Sequence, residues 1–282
     1  MRLGIFSKTF HRPTLDGNLD AVMASGLDII QFNLSCAGLP SLPDAVDMEM
    51  AVHIREACEK RHLHMAAVSG TFNMIHPDRQ KLRNGVRRFR HLAAMCHAMG
   101  TSVITLCTGT RDPVNMWRTH PDNDTPEAWN DLLLTVREVV NIAEEFQLDL
   151  AIEPERANVV SDAVRCRQLL DTIASARLKV VLDAANLFRP EEEKPLADVL
   201  EQALSLVGEQ VIIAHAKDYS TADGLKYVAA GTGELDYGAY LRLLQDYHFK
   251  GPLILHGLSE NEVPKSAHYL RTRMAAVQRN VQ

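Results

Sequence analysis

Leu150-Ala151-Ile152-Glu153, Val180-Val181-Leu182-Asp183, Val211-Ile212-Ile213-Ala214-His215 and Leu253-Ile254-Leu255-His256 are four short apolar runs, and each stops on a side chain able to bind a metal or move a proton. Strands this apolar are buried on both faces, as in a parallel sheet covered by helices, so a carboxylate or imidazole fits only at an end. If the sheet closes into a barrel, the four ends converge on one rim. Two carboxylates and two imidazoles around one cavity have the composition of a divalent-metal site.

Outward from these runs, strand-like and helix-like segments alternate over the whole chain. Leu3 to Ser7 reads as a strand, followed by a helix from about Leu15 to Ser25, a strand from Asp28 to Asn33 and a helix from Val46 to Arg61. His64 to Ser69 leads into a helix from about Asp78 to Met99, whose apolar stripe runs through Val86, Phe89, Leu92, Ala93 and Cys96. Ser102 to Cys107 is a fourth strand. After a loop with Trp117 and His120, Thr125-Pro126-Glu127 opens a helix with an N-cap threonine and proline in the first helical position. Further helices are expected near Ser161 to Ser175, Pro195 to Val207, Tyr237 to Tyr247 and Glu260 to Arg279.

Eight β/α units without a Pro- or Gly-rich linker predict an α/β fold, a single (β/α)8 TIM barrel spanning residues 1–282, close to the length of about 250 residues that such barrels take. A doubly wound dinucleotide-binding sheet would need a glycine fingerprint after the first strand, and Gly4-Ile5-Phe6-Ser7-Lys8 does not supply one. Barrel enzymes place their chemistry at the carboxyl ends of the strands, where the four polar residues lie.

Composition narrows the function classes. A net charge of −6 and a pI near 6.1 argue against nucleic acid as a partner, and the cluster Arg83, Arg87, Arg88 and Arg90 reads as a solvated helix face. Five cysteines without a CxxC pair argue against a disulfide framework and for reduced core residues. No run approaches the roughly 20 apolar residues of a membrane span, and the first strand begins at once with no signal-type stretch, so a cytoplasmic protein without a membrane partner is expected. Homo-oligomerisation stays open.

The chain resembles the xylose isomerase-like TIM-barrel superfamily, which contains sugar (phosphate) isomerases and epimerases as well as endonuclease IV, inosose dehydratase and hydroxypyruvate isomerase. The resemblance rests on Ser69-Gly70-Thr71-Phe72-Asn73 with His76-Pro77, Ile152-Glu153-Pro154-Glu155, Leu182-Asp183-Ala184-Ala185-Asn186-Leu187, and His215-Ala216-Lys217-Asp218 followed by Gly231-Thr232-Gly233-Glu234-Leu235-Asp236, in this order on successive strands. It implies a divalent metal (Mn, Zn, Co or Mg) held by Glu153, Asp183 and His215, with a Glu expected at the end of the eighth strand. This chain has His256 there, with Glu260 a few residues on. A Glu, Asp, His, His shell is chemically sound and favours metals that accept nitrogen.

Such enzymes remove a proton from carbon beside a carbonyl, which needs a base, an acid and a cation near the developing charge. Glu153 and His256 are the catalytic candidates, with Glu155, Glu260 and Lys217 in reserve. Asn73, His76, Trp117, Glu155, Asn186, Lys217 and Glu260 are the expected substrate contacts. Each also has a plain structural reading: Asp183 can cap the next turn, Glu153 can pair with Arg156, Lys217 with Asp218 or Asp183, Asn73 and His76-Pro77 can serve a loop and a helix start, and Trp117 can pack its loop down. The Gly231 and Gly233 loop lacks the Lys-Ser or Lys-Thr ending of a P-loop.

Three functions compete: a metal-dependent isomerase or epimerase of a sugar, sugar phosphate or small hydroxyketone; a lyase of the inosose dehydratase type on the same scaffold; and a sugar-binding barrel with a degenerate site. Endonuclease IV-like repair is disfavoured, because the extra His and Glu ligands of a trinuclear zinc cluster find no place in an acidic chain.

Overall fold

A computed structural model describes residues 1–191 and 194–279. Seven strands, β1 (Arg2–Phe6), β2 (Ile29–Phe32), β3 (His64–Ser69), β4 (Val103–Leu106), β5 (Asp149–Ile152), β6 (Leu178–Asp183) and β7 (Val211–Ala216), precede a small antiparallel hairpin of β8 (Asp218–Ser220) and β9 (Lys226–Val228). The last strand, β10 (Pro252–Leu255), pairs in parallel with β1 on one side and β7 on the other, which closes an eight-stranded barrel of otherwise consecutive parallel neighbours. This is the (β/α)8 barrel expected from the alternation of apolar strands and amphipathic helices.

Helices α1 (Leu15–Ala24), α2 (Met48–Glu59), α3 (Arg79–Met99), α4 (Pro126–Glu145), α5 (Ala163–Ile173), α6 (Ala184–Leu187), α7 (Leu196–Val207), α8 (Tyr237–Asp246) and α9 (Val263–Arg279) surround it. Most start one to a few residues inside the predicted bounds, because the first residue of the stretch is spent as a cap. Asp78 Oδ1 accepts from the N–H of Gln80 and Lys81, and Thr125 Oγ1 accepts from that of Ala128. The apolar stripe of α3 is buried as predicted, with Phe89, Leu92 and Cys96 fully enclosed. Truncating Phe89 to Ala would cost about 3–5 kcal/mol. Arg87 and Arg88 pair with Asp44, and Arg90 with Glu145, so the basic cluster is a compensated surface.

Alternation along the strands positions the site. Ile29, Ala67, Ala151, Val181, Ile213 and Ile254 form one packed cluster inside the barrel. Side chains two residues further along a strand point the same way. The next inward layer therefore consists of Gln31, Ser69, Glu153, Asp183, His215 and His256, and one layer further along β7 stands Lys217. The polar ends of the four apolar runs meet because each lies two residues beyond a member of the same interior layer.

The hairpin was not anticipated. Its strands are three residues long and polar, too short to show a period. Asp218, fully buried, organises it: Oδ1 accepts from the N–H of Tyr219 and Leu235, and Oδ2 from those of Gly231 and Gly233. A Cβ at Gly233 would lie 2.1 Å from Tyr219 O, so this glycine serves the close wrap around Asp218.

Candidate metal and proton-transfer site

Glu153, Asp183 and His215 are buried on the barrel axis, with His256 beside them. His215 Nδ1 lies 3.3 Å from Glu153 Oε1 and 3.7 Å from Asp183 Oδ2. The His256 ring stacks on that of His215 at 4.7 Å, nearly parallel, and Phe6 covers its other side at 5.5 Å. Asp183, His215 and His256 each offer a ligand atom within 4.8 Å of the others.

A bound cation fits this donor set on two counts. Asp183 Oδ2 and His256 Nδ1 are buried without a hydrogen-bond partner, and polar atoms rarely remain so unless something else engages them. Both are also suitable ligand atoms. Asp183 Oδ1, in contrast, caps α6 by accepting from the N–H of Ala185 and Asn186, so the capping role and the site role are filled by different oxygens of one carboxylate. Glu153 does not pair with Arg156, which binds Glu191 instead.

The remaining nitrogen of His215, Nε2, is 2.9 Å from Gln31 Oε1, and the Gln31 amide donates to Thr105 Oγ1. This fixes the ring with Nδ1 toward the carboxylates, the arrangement by which an outer partner orients a metal-binding imidazole. Gln31 was missed in the sequence because β2 carries no other polar inward residue; its spacing of two from Ile29 was the available signal.

Electrostatics separate the two imidazoles. Burial works against charge on His215, but Glu153 and Asp183 outweigh it and bring the ring up to about 9. Burial and the neighbouring charge of His215 push His256 down to about 4, so it is neutral at pH 7. Asp183 is held well below the usual carboxylate range: burial opposes this, and Lys217 and His215 overcome it. Glu155 is pushed up to about 7, mainly by burial, with Lys217 opposing and Glu153 and Asp183 adding to the rise.

Lys217 is buried as well, over the Tyr227 ring at 3.9 Å, with Nζ 3.1 Å from Asp183 Oδ2 and donating to Asn186 Oδ1 at 2.5 Å. Asn186 in turn donates to Glu153 Oε1 at 2.8 Å. The Cys107 thiol, expected to be plain core, faces Glu153 Oε2 at 3.9 Å.

Above this floor opens a cavity of about 560 Å³, lined among others by Glu153, Glu155, Lys217, His256, Trp117 and Tyr227. Trp117 is 52% exposed, so it does not pack its loop down. Three expected contacts lie elsewhere. Asn73 is tied to its neighbours, accepting from the N–H of Ile75 and Thr110 and donating to Thr110 O, which holds the loop at Gly109. His76 Nδ1 accepts from Asp78 N at the start of α3 and faces a different groove, shared with Arg111 and Asp131. Glu260 forms a two-pronged ion pair with Arg12 at 2.6 and 2.8 Å, which holds it on the outer surface.

The model of the xylose isomerase-like TIM barrel matches residues 19–273. The chain belongs to this family. No curated protein sequence matches it. Among solved structures, this xylose isomerase-like barrel is similar to a D-tagatose 3-epimerase-like protein (TM-score 0.78, 15% identity, all of both chains covered) and to L-ribulose 3-epimerase (TM-score 0.76, 15% identity, 99% of this chain and 96% of that one). It is also similar to the IOLI protein, described with a binding zinc atom (TM-score 0.73, 16% identity, 98% of both chains). No helix among the described residues is long and apolar enough to cross a membrane.

Proposed function

We propose that this barrel is a divalent-metal-dependent isomerase or epimerase acting on a sugar or a related hydroxyketone. The observation that supports it most is the meeting of Glu153 and His256, which line the cavity, with Asp183 and His215 buried directly beside them, Asp183 Oδ2 and His256 Nδ1 being buried without a hydrogen-bond partner. Sugar epimerases among the similar structures and the zinc of the IOLI protein support the same reading.

Asp183, His215 and His256, with Glu153 adjoining, would hold the cation. When bound, it supplies positive charge to substrate oxygens that become negative as the proton leaves carbon. Glu153 is the base. Its carboxylate is ionised, because His215 keeps its affinity for protons low against the effect of burial, and Asn186 holds Oε1 in place. It takes the proton from the carbon beside the carbonyl; epimerisation is complete when Glu155 returns a proton to that same carbon from another direction, and isomerisation when a proton returns to the former carbonyl carbon while the hydroxyl proton passes to the former carbonyl oxygen. A carboxyl brought up to about 7 is half protonated at neutral pH, which suits a group that both gives and takes. Lys217 binds a substrate oxygen from above.

The same protonated Glu155 favours a second reading, a dehydratase in which it protonates a departing hydroxyl. Solvent-deuterium incorporation into ketoses, with Mn²⁺ supplied, separates the two. Exchange without loss of water supports the isomerase, loss of water the dehydratase, and neither a barrel that only binds. Glu153→Gln is expected to lower exchange by about 10²–10⁴-fold while the fold is retained. Unchanged exchange would remove Glu153 as the base.

A further inference from the structure

The cavity over the barrel does not end at His256. A second chamber of about 470 Å³ adjoins it and shares Phe6, Lys8, Tyr227, His256 and Gly257 with the first. The two therefore adjoin, with His256 and Tyr227 on their common border. Either chamber alone is within the range of roughly 300–1,000 Å³ that buries a drug-sized ligand, so a single sugar ring seated over Glu153 leaves the outer chamber to water.

The outer chamber has a lining of its own. Lys8 has no ion-pair partner among the described residues, whereas the Glu262 carboxylate is tied to Ser259, accepting from its N–H at 2.8 Å and its hydroxyl at 2.7 Å. Charges of opposite sign in one small space suit a neutral group rich in hydroxyls, which both accepts and donates. They suit a phosphate poorly, since Glu262 repels it while Lys8 attracts it. Tyr227, 40% exposed, stands where the chambers join and offers an aromatic face of the kind that sugar rings pack against. It is carried by the β8–β9 hairpin, which Asp218 pins to the barrel rim. At Gly257 the backbone turns with φ of +68°, and a Cβ there would lie 2.9 Å from Lys217 Cδ, so the strand-to-loop turn between the chambers tolerates no side chain.

We infer that the substrate is a glycosylated keto-sugar: the reacting ketose unit lies over Glu153 and Lys217, and a second glycosyl ring fills the outer chamber between Lys8, Tyr227 and Ser259. This rests on the isomerase reading above for the identity of the reacting unit, but not for the second ring.

Two measurements test it on the intact, Mn²⁺-supplemented protein. The first compares solvent-deuterium incorporation into fructose with that into the ketodisaccharides lactulose, maltulose and isomaltulose. At least one disaccharide is expected to exchange with a kcat/KM about tenfold or more above fructose. Thr9 lines the outer chamber but not the inner one and is not among the cation-binding residues, so Thr9→Trp narrows the outer chamber; it is expected to remove that advantage while leaving fructose within about twofold. Fructose exchanging as fast as every disaccharide, or a Thr9→Trp variant that slows both sizes alike, overturns the inference. The second measurement is saturation-transfer NMR with the same disaccharides, which reads contact without turnover. Saturation of both rings supports the two-chamber substrate; saturation of the ketose ring alone, or of neither, overturns it. Absence of exchange for every ketose defeats the isomerase reading, and the NMR contacts then decide the second ring by themselves.

Discussion

Lys217 Nζ stands 3.1 Å from Asp183 Oδ2 with both side chains buried, yet that oxygen completes no hydrogen bond, and Lys217 gives its short bond to Asn186 instead. Asp183 is thus neutralised by a neighbour without being saturated by it. The cluster holds Glu153 and Asp183 as anions against His215 and Lys217 as cations, so the buried charges balance, and an additional divalent ion has to displace the proton of His215.

Removing Lys217 should therefore expose how the balance works. Lys217→Met leaves Asp183 buried beside one cation fewer, and breaking a buried pair from one side typically costs about 3–5 kcal/mol. Urea unfolding should show a loss of this order in chelator-treated protein and a smaller loss with saturating Mn²⁺, which restores a positive partner to Asp183. An equal loss in both conditions would mean that the cation does not reach Asp183.

Gln31 orients His215 from the far side of the barrel. Gln31→Leu removes the acceptor for Nε2–H and is expected to weaken Zn²⁺ or Mn²⁺ binding by about 10–100-fold, with the barrel intact by circular dichroism. Calorimetric titration reads the change directly, and an affinity within twofold of wild type would show that stacking on His256 and the carboxylates of Glu153 and Asp183 hold the ring without Gln31.

Glu155 gives the stability a pH dependence of definite sign. Its carboxyl is brought from 4.5 to about 7 in the folded chain, so between these values the folded state binds more protons than the unfolded one. Its contribution is fully present below about 4.5 and is lost as pH rises through about 7, by a total on the order of 1–3 kcal/mol. In chelator-treated protein, the melting temperature of Glu155→Gln relative to wild type should therefore rise from pH 5 to pH 8. A constant difference across that range would contradict the shift.

Much of the architecture was legible because it depends on side-chain periodicity. The apolar runs ending at Glu153, Asp183 and His215 could only be strands buried on both faces, and their convergence follows from closure. His256 was legible as the same kind of ending. The hairpin that carries Tyr227 was not, because three-residue polar strands have no period and are fixed by Asp218 from outside their own sequence. The substrate contacts divided on the same ground. Lys217 shares the inward direction of His215 and reached the cavity, whereas Asn73, His76 and Glu260 sit in loops or at helix starts, where no strand period aims a side chain, and local partners captured them. Gln31 and Cys107 went unread for a different reason: an amide and a thiol on an apolar strand look like tolerated core residues until the partner across the barrel is known.

Chelation and add-back during solvent-deuterium exchange decide whether one cation, held by Asp183, His215 and His256 beside Glu153, is required for proton transfer. Exhaustive chelation is expected to abolish exchange, one equivalent of Mn²⁺, Co²⁺ or Zn²⁺ per chain to restore it, and Asp183→Ala and His215→Ala to bind no ion and not to recover. Exchange that continues undiminished in metal-free protein would contradict that requirement.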